Sequence, residues 1–192
     1  MNTWYLVKKN WPNIETIAAR YGKSYIGLGG DSWPGGMEYG KFILNEFDQI
    51  EKTRTYVEIK HNGLARHEYV TTDKESAIAY LNAPNVKEKN AILIQIQYAF
   101  DALRADVDGY DFGNPAGGYS VIETEIILKD SRETIDTYLN EFCLFDSMDS
   151  MRGFLLSLKD AARRGECEEL DNYVPVAIKR WVSPSVPPTL QF

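Results

Sequence analysis

The stretch YVEIK, residues 56–60, sets Glu58 and Lys60 two positions apart, and in a strand two such side chains share one face. A carboxylate and an ammonium so placed, joined by an aspartate from earlier in the chain, are how nucleases of the PD-(D/E)xK type hold Mg²⁺ and polarise an attacking water. Asp31 and Asp48 are the aspartates available for that role. Three features oppose this reading: the pair is common in any sequence, Asp48 falls on a segment that reads as helix, and Asn62-Gly63 turns the strand at once. The catalytic alternative therefore rests on Asp31, Asp48, Glu58 and Lys60, set against an ordinary solvated strand face.

Other chemistry is weaker. GKS at 22–24 would need a glycine five residues upstream to wrap a phosphate, and that position is Ile17, inside a helical pattern. Gly27 and Gly29 begin a dinucleotide fingerprint, but its third glycine would fall at Ser32. IETIAARYGKS resembles the first helix and turn of a helix-turn-helix reader, yet the glycine-rich YIGLGG follows where a recognition helix belongs. His61 and His67 flank the predicted hairpin turn without a nucleophile nearby. Cys143 and Cys167 form no Cys-x-x-Cys pair, so no zinc site is expected. DVDGYDFGN has half the look of a calcium loop, but the bidentate glutamate at its twelfth position would be Gly117. Neither metal nor cofactor is expected, and a binding role is favoured over an enzymatic one.

Charge points the same way. The formal net charge of -7 is concentrated between residues 101 and 171, which hold 17 acidic and 7 basic side chains, against 11 and 12 in the first hundred residues. Such a surface repels nucleic-acid phosphate and steers basic proteins toward itself. Within it, DALRADVDGYDFGNPAGG (101–118) reads as an insertion longer than a hairpin needs. Asp106, Asp108 and Asp111 alternate there with Tyr110 and Phe112, the mixture of steering charge and aromatic anchor that a protein-binding hot spot uses. The expected partner is thus a protein with a basic surface, masked as immunity or antitoxin-type proteins and nucleic-acid mimics mask theirs; nucleic acid and membrane are not expected. A third reading is a subunit of a larger assembly that docks through the Met-rich helix near 147–164. The longest apolar runs resemble AILI (91–94), and MNTWYLVKKN has no apolar signal core, so a cytoplasmic location is expected.

These residues need elements to hold them. Hydrophobic periodicity predicts strands at 3–8, 25–28, 54–60, 65–71, 91–98, 118–128 and 172–182, the last placed at an edge or bulge by Pro175. Helices are predicted at 14–21, 38–50, 72–82, 130–140 and 147–164, with capping boxes Thr72/Glu75 and Asp130/Glu133. The strands at 54–60 and 65–71 read as a hairpin across Asn62-Gly63, and strand-strand-helix reads as a unit duplicated in 91–140. The expected fold is α+β, a mainly antiparallel sheet with helices packed on it, as one domain over 1–182 followed by a Pro-rich tail, 183–192. The expected core comprises Val57, Ile59, Ile78, Leu81, Ile92, Ile94, Ile96, Ile126, Leu128, Ile135, Leu139, Phe154, Leu155 and Leu158.

Overall fold

The computed structural model describes residues 3–8, 18–27, 38–44, 50–58, 69–87, 91–99, 106–114, 119–120, 137–166 and 174–181. Asp31, Asp48, Lys60 and the tail beyond Trp181 lie outside these residues, as do Ile59, Ile126, Leu128 and Ile135. The strands are β1 (Thr3–Lys8), β2 (Glu38–Leu44), β3 (Ile50–Glu58), β4 (Tyr69–Thr71), β5 (Ile92–Tyr98), β6 (Gly109–Asn114), β7 (Tyr119–Ser120) and β8 (Val174–Arg180). The helices are α1 (Lys74–Leu81), the single turn α2 (Pro84–Lys87) and α3 (Met148–Arg163). The fold is α+β. An antiparallel sheet runs in the order β4-β1-β5-β8-β6-β7, and β2 and β3 form a separate two-stranded ribbon whose β2 lies against β8.

Register separates the two faces of the large sheet. Trp4, Leu6, Ile94, Ile96, Val176 and Ile178 share one face, because Trp4 pairs with Ile96, Leu6 with Ile94 and Ile96 with Ile178. Ile26, Phe142 and Leu144 pack onto it. The opposite face carries the helices. There α1 buries Ala77 against Val7 and Leu93, while α3 buries Met151, Phe154, Leu155 and Leu158 against Tyr110 and Ala177. Where α1 lies on it β5 is covered on both faces, which is why Leu93 is as buried as its neighbour Ile94, whereas Gln95 and Gln97 on the same face stay partly exposed. Ile78, Leu81 and Ile92 are only partly buried, at the margins of these clusters.

The helix α3 follows from local signals. Ser147 caps it, accepting from the Ser150 backbone N–H at 3.1 Å, while Ser150 Oγ accepts from the Ser147 N–H at 3.0 Å. Gly165, at φ +75, ends it in a conformation that favours glycine. The α1 cap is Asp73, one residue beyond the predicted Thr72; Asp73 Oδ2 accepts from the Ser76 N–H at 3.2 Å and from its hydroxyl. The Ser76 hydroxyl does most to hold the Asp73 carboxyl below its ordinary 3.8; burial opposes it, and hydrogen bonds from the Ser76 N–H and from Glu75 add smaller lowering effects. A lowered carboxyl pKa stabilises the fold above the unfolded value and loses that contribution as pH falls through the folded one. Exchange protection at the Ser76 amide is therefore expected to fall below about pH 4 in the wild type. In Asp73→Asn it should show no such step; amide exchange followed by NMR across that range checks it.

Four expectations are corrected. Residues 38–44 form a strand, although Ile43, Phe47 and Ile50 are spaced as on a helix; Tyr39, Phe42 and Ile43 suit a strand, and Gly40 sits at a register shift against β3. β3 does not pair with β4: β3 pairs with β2, and β4 with β1, so the two runs on either side of Asn62-Gly63 sit in different sheets. The second copy of the repeat falls largely on 121–136, outside the described residues, and β5 pairs with β1 and β8 rather than with β7. Finally, β8 lies inside the sheet despite Pro175. The N and C=O of one strand residue point to the same side, and the Pro175 C=O accepts from the Ala99 N–H at 3.1 Å, just past the end of β5. The missing N–H falls where the β5 ladder has already stopped.

Candidate functional site

Of the segment predicted as an acidic loop, residues 106–114 are described, and Gly109–Asn114 among them form β6. Gly109 to Gly113 pair with β8, Tyr110 facing Ala177 and Asp111 facing Val176. Tyr110 is buried under α3, and Asp111, at 2 % exposed, is the one buried charged residue among those described. In this fold Tyr110 and Asp111 therefore do not face a partner. Phe112 lies between them and the end of the strand, opposite Pro175. Of the other predicted residues, Asp106 is exposed and Asp108 partly buried, both in the turn entering β6. Asp106 is 92 % exposed and forms an ion pair with Lys179. Asp108 Oδ2 accepts from the Arg180 backbone N–H at 2.5 Å, and the Arg180 guanidinium lies 5.0 Å from the centre of the Phe142 ring.

A second acidic segment joins this turn. Tyr110 and Phe145 exchange backbone hydrogen bonds of 2.8 Å, forming a bridge antiparallel to β6, and Leu139 and Phe145 close a tight turn over 140–144. Cys143 occupies that turn at φ 56. Asn140 ties the pieces together. Its Oδ1 accepts from the N–H groups of Phe142 at 2.9 Å and Leu144 at 3.1 Å, while its Nδ2 donates to the Asp108 C=O at 2.8 Å. Asp106, Asp108, Glu141 and Asp146 thus sit on adjoining segments fixed by one amide. Glu141 and Asp146 are exposed. At the far end of α3, Asp160 and Glu166 are matched by Arg163 and Arg164, so the acidic bias belongs to the end that begins at Asp146.

Asn140→Asp keeps the Oδ1 acceptor but sets an oxygen against the Asp108 carbonyl. It is expected to cost about 1–3 kcal/mol, the range for an unsatisfied buried polar group. Urea denaturation of the two proteins measures it.

Behind this edge, three titratable groups converge from separate segments. Lys23 donates to the Leu139 C=O at 2.8 Å, and Ser24 and Ile26 donate to the Glu141 and Phe142 carbonyls at 2.7 and 3.4 Å. The GKS stretch is thus a strap on the 139–142 turn, entered through a helix C-terminus at 18–22, whereas a phosphate loop would lead into a helix N-terminus. Asp111 Oδ2 lies so close over Gly27 that a Cβ there would stand 2.8 Å away. Burial pushes the Cys143 thiol up to about 11; Lys23 opposes this and Asp111 adds to it. At neutral pH Cys143 is a protonated thiol rather than a nucleophile.

The catalytic alternative is not assembled by the described residues. Glu58 closes β3 opposite Glu38 of β2, while Asp31, Asp48 and Lys60 lie outside the described residues. Among the described residues no three of His, Cys, Asp or Glu gather as a metal site requires, and no helix is long and apolar enough to cross a membrane. Asn140 and Glu141 carry no sequence signal of their own; the excess of acids between 101 and 171 includes Glu141 and Asp146, and Asp146 also suits the N-terminal dipole of the helix that follows it. No protein-family model, no curated protein and no solved structure matches this chain.

Proposed function

We propose that this chain is a non-enzymatic, cytoplasmic acidic binding protein that covers a basic surface of a partner protein, in the manner of an immunity or antitoxin-type inhibitor or a nucleic-acid mimic. The observation that supports this reading is the edge held by Asn140, where Asp106, Asp108, Glu141 and Asp146 stand on adjoining, hydrogen-bonded backbone. Carboxylates whose spacing is set before encounter lose little freedom on binding, and a single sign of charge accelerates capture of an oppositely charged surface.

The test is affinity capture from the native cell extract with the wild type and with Glu141→Lys/Asp146→Lys, two exposed positions whose replacement spares the core. A basic protein retained by the wild type, with affinity falling roughly tenfold or more in the variant and on raising the salt, is the expected result. Equal retention by both proteins at low and high salt would refute the acidic-edge reading. Loss of Mg²⁺-dependent nuclease activity in Glu58→Gln, measured on the same preparations, would replace it with the catalytic one.

A further inference from the structure

We draw no further inference here: the strongest candidate, the side-chain cluster of Lys23, Asp111 and the buried Cys143 thiol between the strap at 23–27 and the 139–142 turn, rests on a lone cysteine and its raised pKa, and nothing among the described residues points to a ligand there.

Discussion

Gly109→Ala is expected to destabilise the protein by about 2–3 kcal/mol, the upper part of the range for overpacking a well-packed site. A Cβ on Gly109 would stand 2.6 Å from Leu144 Cβ, 2.9 Å from the Phe145 carbonyl oxygen and 3.1 Å from Asn140 Nδ2. Only the last of these is the end of a side chain that can move aside. Relief requires β6 to draw away from the 139–145 turn, which opposes the paired bonds between Tyr110 and Phe145 and the Asn140 bond to Asp108. The damage therefore reaches the acidic edge and the core together. Urea denaturation of Gly109→Ala should show a lower midpoint with an unchanged slope, and amide exchange should quicken first at Tyr110 and Phe145. A midpoint equal to that of the wild type would mean that β6 does not approach the turn this closely.

Phe154→Ala should cost more, about 3–5 kcal/mol, as buried aromatic truncations do. The Phe154 ring is buried, meets Phe145 at 5.4 Å between centroids and receives Tyr138 edge-on at 5.5 Å. It is the residue through which α3 grips both the turn and the sheet. Phe154→Leu, which refills much of the volume, should recover a substantial part of the loss. If the alanine variant unfolds at the wild-type midpoint, α3 does not lie over Tyr110.

The contrast between these two residues shows what the sequence could convey. Phe154 was legible: α3 carries its own caps, its stop and an apolar stripe, so local periodicity identifies its buried face, and Leu155 and Leu158 with it. Ile94 and Ile96 were legible on the same ground. Leu93 was not, because alternation assumes one wet face and β5 has helices on one side and the Ile26–Leu144 layer on the other. Residues 38–44 were misread because a short apolar pattern fits both periods, and pairing with β3 decides between them.

The candidate site divides in the same way. GYDFGN has strand alternation, Asp111 on one face and Tyr110 on the other, but nothing local says that the Asp111 face is covered; Tyr25 to Gly27, far away in sequence, help to cover it. Asp106 and Asp108 could be named because they are simply acidic and adjacent to a turn. Asn140 could not, since its role exists only once Asp108 and the 142–144 backbone have met.

The place of β8 in the sheet bears on the order of assembly during synthesis. It is the last described strand in the chain, and it sits between β5 and β6, joining the β4-β1-β5 half to the β6-β7 half. Until residues 174–180 leave the ribosome, β5 and β6 each present an open edge whose backbone groups have no partner from this sheet, the condition under which nascent chains pair with one another. Closure of the sheet is therefore a late event of high contact order, and a chain halted before Val174 would hold most of the residues of the core without the strand that joins them.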